Sequence, residues 1–135
     1  MPKKIYSKDG TTLLHIINRV EEITSRQDII PENQFLQLAT LKLEKDKTFA
    51  PHKHIWKEPS GDQTIAQESW VVITGKVKCY FYDLDDTLLK TEILNPGDCS
   101  ITLQGGHNYE ILEDAIVYEY KTGPYLGQKF DKVFI

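Results

Sequence analysis

The sequence predicts an all-β domain, and two features of its pattern lead to that prediction. Seven or more short runs of strand-like composition follow one another from Phe35 onward, and no long helical pattern interrupts them. Turn residues separate the runs, most clearly at Asn95-Pro96-Gly97-Asp98. Short strands at close spacing are typical of an antiparallel sandwich or a small barrel.

Alternation and turn residues set the bounds of the predicted elements. The chain begins with a strand-like run at 4–7. Leu13 to Ile23 has a spacing that suits a short helix, although its β-branched content also permits a strand. Breaks are expected at Gly75 and at Glu113-Asp114, and residues 121–135 finish the same domain. Further strands are predicted at 35–44, 65–74, 76–84, 88–94, 99–103, 107–112 and 115–121.

Length and composition narrow the class of protein. A chain of 135 residues with 40% apolar and 27% charged residues is large enough for one hydrophobic core. The net charge of −4 argues against a nucleic-acid partner. No apolar run approaches the roughly 20 residues of a membrane span. The basic residues near the N-terminus are not followed by the apolar segment of a secretory signal. We therefore expect a cytoplasmic protein in which Cys79 and Cys99 are reduced thiols.

Three histidines and one glutamate are candidate metal ligands. His52 and His54 lie two residues apart, so both side chains project from one face of a strand. Glu68 shares its predicted strand face with Ala66, Trp70 and Val72, and it is the one charged residue there. A carboxylate on an apolar face is costly unless it is paired or bound to a metal. His107 shares a mostly apolar face with Tyr109 and Ile111. Imidazole and carboxylate groups are the usual ligands of transition metals.

These residues stand in an order that resembles the two motifs of the cupin superfamily. His52-x-His54 precedes Glu68, and Gly75 follows Glu68 after six residues; Pro96-Gly97-Asp98 and then Gly105-Gly106-His107 match the second motif. The resemblance implies a single jelly-roll β-barrel over 35–135, with residues 1–34 as an N-terminal extension packed on it. It also implies a divalent ion (Zn, Fe, Mn or Ni) held by His52, His54, Glu68 and His107. The gap between His54 and Glu68 is longer than in that pattern, and 56–64 is interpreted as a lid or a solvated loop.

The function implied by this resemblance has one leading form and two alternatives. The leading hypothesis is a metal-dependent enzyme, of isomerase, epimerase or oxygenase type, that acts on a small polar metabolite such as a sugar derivative. The run Glu119-x-Lys121-x-Gly123-Pro124-Tyr125 resembles small cupins of bacterial surface-polysaccharide pathways. One alternative is a binding or sensing module with a structural metal. The other is a metal-free nucleotide-sugar epimerase or ketoisomerase with His52 or His54 as base.

Two residues are candidates for catalysis, and two binding partners are expected, a small molecule and a second copy of the chain. Glu68 is a possible general base in place of a ligand, and the Tyr109 phenol is a possible proton donor, with core packing as its simpler interpretation. A sugar or nucleotide-sugar is the expected small-molecule ligand. Cupins commonly dimerise by exchanging N-terminal strands or by packing sheet on sheet, so the resemblance, together with the strand-like start at 4–7 and the tyrosine-rich runs, implies a homodimer.

Overall fold

Strands make up most of the chain. The computed structural model describes residues 2–55, 65–124 and 132–135, so the predicted insert at 56–64 lies outside the described residues. One short 3-10 helix, Val20–Glu22, is the only helix in the described part, and no helix there is long and apolar enough to cross a membrane. The described strands are β1 (Lys3–Tyr6), β2 (Leu13–Ile17), β3 (Gln27–Asp28), β4 (Leu36–Leu43), β5 (His52–His54), β6 (Glu68–Tyr82), β7 (Leu88–Leu94), β8 (Cys99–Thr102), β9 (Gly106–Thr122) and β10 (Lys132–Phe134). The all-β prediction is confirmed.

Two long antiparallel strands, β6 and β9, run through both halves of the barrel. Their ladder extends from Glu68 opposite Lys121 to Phe81 opposite His107. At the Glu68 end, β8 flanks β6, while β4 flanks β9 and carries β3 on its far side. At the His107 end, β7 flanks β6, while β5 flanks β9 and carries β10. The result is a curled sheet of two five-stranded halves, and a jelly-roll barrel fits this arrangement.

Gly75 bends β6 and does not end it, so the predicted break there is wrong. The β6–β9 register shifts between Val72 and Val77, and Gly75 has a φ of 85°. A glycine with positive φ accommodates a bulge that turns the strand while pairing resumes beyond it. The predicted break at Glu113-Asp114 is also wrong, because β9 continues through it on the opposite side of the same bend. Each pair of predicted strands is therefore one long strand.

The segment before the barrel contains both strand and turn. Leu13–Ile17 is a strand and Val20–Glu22 a single 3-10 turn, so the run from Leu13 to Ile23 divides between the two alternatives. β1 and β2 form a separate two-stranded sheet, whereas β3 joins the main sheet beside β4. Ile23 and Ile29 are buried. The division at residue 34 stays a prediction.

The hydrophobic core lies between the two halves and draws residues from both. The two cysteines are free thiols, with Cys79 inside this core and Cys99 exposed. Alternate residues of β6 and β9 point inward, as the period of two requires. The buried cluster comprises Leu41, Trp70, Val72, Val77, Cys79, Leu94, Tyr109, Ile111, Ala115 and Val117.

The bend at Gly75 should tolerate no side chain. In Gly75→Ala the new Cβ would meet the carbonyl oxygen of Asp114 and lie 2.7 Å from the Cα of Ala115. We expect the free energy of unfolding, measured in urea, to fall by more than about 2 kcal/mol, because backbone strain and displacement of β9 add together. Gly10→Ala is the matched control, since Gly10 has a φ of 76° with nothing within 4 Å of an added Cβ. A loss as small as the roughly 1 kcal/mol expected for Gly10→Ala would contradict this account.

Candidate metal centre

Four side chains from three strands converge at one end of the barrel. His52, His54, Glu68 and His107 each place one ligand-type atom so that all four atoms lie within 4.8 Å of one another. His54, Glu68 and His107 are buried, and His52 is half-buried. The structure thus brings together all four residues that the sequence singled out, in a cluster of the kind that could hold a metal ion.

Strand register explains how the cluster forms. His52 lies opposite His107 in the β5–β9 ladder, and His54 projects from the same face of β5 two residues later. Glu68 comes from the other half of the barrel. It is the first residue of β6, whereas His107 pairs with Phe81 near the last residue of that strand, so the two lie at opposite ends of the β6–β9 ladder. The histidines therefore come from one half and the carboxylate from the half that faces it.

The separations between donor atoms fit a bound cation. Glu68 Oε2 lies 2.9 Å from His107 Nε2, and Glu68 Oε1 lies 3.6 Å from His54 Nε2. The Nε2 atoms of His52 and His107 are 3.0 Å apart. Ligand bonds of about 2.0–2.2 Å to a transition metal leave neighbouring ligand atoms roughly 3 Å apart. The residues present therefore suit a divalent ion without rearrangement of the strands.

Hydrogen bonds behind the histidines orient their rings. His52 Nδ1 lies 3.2 Å from the Ala50 carbonyl oxygen, an acceptor, so this nitrogen carries the proton and Nε2 presents its lone pair to the cluster. His107 Nδ1 lies 2.9 Å from Thr102 Oγ1 and 3.4 Å from the Tyr109 hydroxyl. His107 Nε2 faces Glu68, and it would present a lone pair to an ion when the ring proton lies on Nδ1, donated to Thr102 Oγ1. Thr102 was not among the residues predicted from the sequence, although it is a polar residue at the buried parity of β8.

Charge and burial hold two members of the cluster in their cation-binding forms. Burial raises the pKa of Glu68, but hydrogen bonds and charge from His107 and His54 outweigh it and lower that pKa well below 4.5. Burial, and then the neighbouring His107, lower the pKa of His52 from 6.5 to about 4. At neutral pH Glu68 is therefore a carboxylate and His52 a neutral imidazole.

A cavity of about 350 Å³ opens beside the cluster. His52 and Glu68 lie in its wall, so a ligand in the cavity would reach the cluster. This volume is at the small end of the range for ligand pockets, which is about 300–1,000 Å³. Charged side chains of both signs also line it, namely Arg26, Asp28, Glu32, Glu119, Lys121 and Lys132.

A stacked aromatic pair and a second buried carboxylate form another wall of the cavity. The rings of Trp70 and Tyr109 stack with centroids 3.7 Å apart and planes 3° from parallel. Trp70 Nε1 donates a hydrogen bond of 2.9 Å to Glu119 Oε2, and Arg26 Nη2 lies 3.6 Å from Glu119 Oε1. Burial, and then the charge of Glu68, raise the pKa of Glu119 above 4.5. Glu119 is thus a buried carboxyl group that binds its proton more tightly than a free glutamate does.

Sequence reasoning named Glu119 only as part of a tail motif and did not place it in the cavity. Its signal was the same as that of Glu68, since Ala115 and Val117 precede Glu119 at the buried parity of β9. Tyr109 lies where the sequence predicts, on the inner face two residues after His107. Its hydroxyl is directed toward His107 Nδ1, and burial raises its pKa well above 10. The phenol therefore stays protonated beside a histidine of the cluster.

Comparison with known proteins identifies the fold alone. No protein-family model and no curated protein sequence matches the chain. Among solved structures, KdgF from Halomonas sp. matches with a TM-score of 0.56 and 17% identity over 72% of this chain and 77% of that one. A cupin-2 domain containing protein from Shewanella frigidimarina matches with a TM-score of 0.52 and 19% identity, covering 73% and 80%. An uncharacterized protein with a double-stranded beta-helix domain from Klebsiella pneumoniae has a TM-score of 0.60 and 16% identity, covering 87% and 95%.

The chain has the cupin fold. In each of the three cases the match includes most of the solved structure's chain, so the similarity extends over the whole barrel and is not limited to one hairpin. The predicted jelly roll is confirmed, and so is its resemblance to cupins. At these identities the likeness carries no reaction or substrate from one protein to another.

The buried Glu119 should make stability depend on pH. Its folded pKa is raised, so the folded state binds a proton more tightly than the unfolded state does. This contribution to stability is present below pH 4.5 and is lost as pH rises through the folded pKa. Glu119→Gln keeps an acceptor for Trp70, and we expect it to raise the free energy of unfolding more at pH 7 than at pH 4.5. Urea denaturation of chelated protein measures this, with the exposed Glu113→Gln as control; an equal effect at both pH values would contradict it.

Proposed function

We propose that this chain is a metal-dependent enzyme that acts on a small polar metabolite such as a sugar derivative. Convergence of His52, His54, Glu68 and His107 beside the 350 Å³ cavity is the observation that supports the proposal most directly. Four protein ligands on a six-coordinate ion would leave two positions for a substrate. Such an open site, with access from a cavity, is typical of catalytic metal centres.

The proposed chemistry divides between the ion and the residues around it. A bound divalent ion would act as a Lewis acid toward a carbonyl or hydroxyl oxygen of the substrate. Thr102 and the Ala50 carbonyl hold the His107 and His52 rings with Nε2 toward the centre. Glu119, with its raised pKa and its place in the cavity wall, is the residue best suited to give a proton to a substrate or to take one from it.

The cavity favours a small, highly polar ligand. Arg26, Lys121 and Lys132 line it together with four carboxylate residues, Asp28, Glu32, Glu68 and Glu119, so a ligand with several hydroxyl or carbonyl groups would meet both donors and acceptors there. The Trp70–Tyr109 stack offers an apolar edge at which a sugar ring could pack. A volume of about 350 Å³ accommodates a sugar acid more readily than a whole nucleotide-sugar. We therefore place a free sugar derivative ahead of the nucleotide-linked form.

Metal content provides the first test. In His52→Ala the cluster loses one imidazole, and we expect the purified protein to lose most of its bound metal in elemental analysis while circular dichroism shows the same β content. His15→Ala is the matched control, because His15 is exposed on β2 and lies outside the cluster. Stoichiometric metal in His52→Ala, or a metal-free wild type after growth and refolding with Zn, Fe, Mn or Ni, would overturn the metal assignment.

Turnover provides the second test and separates the alternatives. Protein loaded with each metal is incubated with hexuronic acids, ketoses and nucleotide-sugars in D₂O, and the products are followed by mass spectrometry and NMR. An isomerase or epimerase incorporates deuterium at carbon, whereas an oxygenase consumes O₂; Glu119→Gln should slow either reaction by at least tenfold, within the usual contribution of a proton-transfer group. Saturable binding without turnover would support a binding module. Full activity after exhaustive chelation would support the metal-free epimerase.

A further inference from the structure

The strand β7 has one paired and one unpaired edge. Within the residues that the structure describes, β7 is hydrogen-bonded to β6 alone. Pairing with β6 is regular from Lys90 to Leu94, and the register shifts only beyond Lys90. Leu89 and Ile93 nevertheless have 63% and 51% of their surface exposed. An edge strand with exposed apolar residues is the kind of surface that adds a further strand.

The sequence of β7 is complementary to itself when it is reversed. Around Thr91 the residues read Leu89-Lys90-Thr91-Glu92-Ile93. In a two-fold antiparallel pair centred on Thr91, Lys90 of each copy lies opposite Glu92 of the other. Leu89 then lies opposite Ile93 of the second copy. Cross-strand pairs of opposite charge and of apolar side chains are the ones that stabilise a sheet.

Like charges disfavour the two neighbouring registers. Alternate residues of a strand direct their backbone groups to alternate edges, so two copies of one edge can pair only in registers centred on a residue. Centring on Lys90 would place lysine opposite lysine, and centring on Glu92 would place glutamate opposite glutamate. Like charges directly opposite one another are destabilising. Of these three registers, the Thr91-centred one is therefore the one that charge favours.

Charged residues on an exposed edge often serve to prevent pairing, but Lys90 and Glu92 have opposite signs, so in the Thr91-centred register they attract a second copy. Lys90 Nζ and Glu92 Oε1 form an ion pair of 2.9 Å within one chain. A blocking edge presents a charge that repels its own copy, whereas this edge presents both signs at positions related by a two-fold axis. Each ion pair would face its inverse, giving an alternating cluster of four charges across the junction.

We infer that β7 is a self-association interface, through which two copies of this chain join sheet edge to sheet edge about a two-fold axis at Thr91. The occupant of the edge is a second copy, because the complementarity is of the strand with itself. This inference does not depend on the metal centre or on the proposed activity. It differs from the interfaces that the sequence suggests, which are the first strand and the tyrosine-rich runs.

Charge reversal tests the interface in both directions. Sedimentation velocity of the full chain at several concentrations should show a dimer for wild type. Lys90→Glu or Glu92→Lys each places like charges opposite one another, and either should weaken dimerisation by on the order of tenfold or more. The exchange Lys90→Glu with Glu92→Lys restores the pairing and should restore the dimer. Lys76→Glu is the matched control, since it breaks an exposed ion pair with Glu113 away from β7.

Three outcomes of this series would overturn the inference. These are a monomeric wild type at all concentrations, single reversals that dimerise as well as wild type does, and a double exchange that stays monomeric while its circular dichroism is that of the folded chain.

A disulfide at the two-fold axis gives an independent readout. In a Cys99→Ser background, Thr91→Cys would face its own copy at a separation that a disulfide can span, so mild oxidation should give a covalent dimer. Leu89→Cys is the control, because in this register the two copies of position 89 are separated by about four residues of strand, roughly 13 Å, which a disulfide cannot bridge. Equal cross-linking of the two variants, or none at Thr91→Cys, would contradict the register.

Discussion

The structure depends first on the unbroken antiparallel pairing of β6 with β9. Every other strand of the main sheet attaches to one of these two directly or through one neighbour, and the core residues alternate along them. The pairing survives a sharp bend because Gly75 adopts a positive φ where the backbone of Asp114 and Ala115 leaves no room for a Cβ. A single bend shared by two strands thus creates two facing halves and the interior between them.

The same bend produces the candidate metal centre. Residues at opposite ends of the β6–β9 ladder come face to face when the strands fold over, so Glu68 meets His107 although the two are far apart in the ladder. A buried carboxylate is stable there because imidazoles surround it, and the histidines keep their orientation through partners behind them. The geometry of the site is therefore a property of the barrel and not of one loop.

Period-two patterning predicted much of this arrangement, because burial imposes the same alternation on every inward face. It placed Glu68, Tyr109 and His107 correctly, and motif spacing joined His52 and His54 to them. The same patterning predicted strand ends at Gly75 and at Glu113-Asp114, and both predictions were wrong. Turn-forming residues lie there at a bulge, beyond which the β6–β9 pairing continues. Thr102 and Glu119 did have a signal in the sequence, since each is a polar residue at the buried parity of its strand. Arg26 had none, because it reaches the cavity only through contacts between segments that are distant in the sequence.

The cavity wall reaches beyond the barrel into the segment that precedes it. Arg26, Asp28 and Glu32 lie in that wall, although they come before the first residue at which composition suggests that the barrel begins. A chain that started at residue 35 would retain every member of the histidine and glutamate cluster, but it would lose one side of the cavity beside that cluster. Metal binding and ligand specificity would then depend on different parts of the chain. Substitutions before residue 35 could change which ligand binds without changing the metal-binding residues.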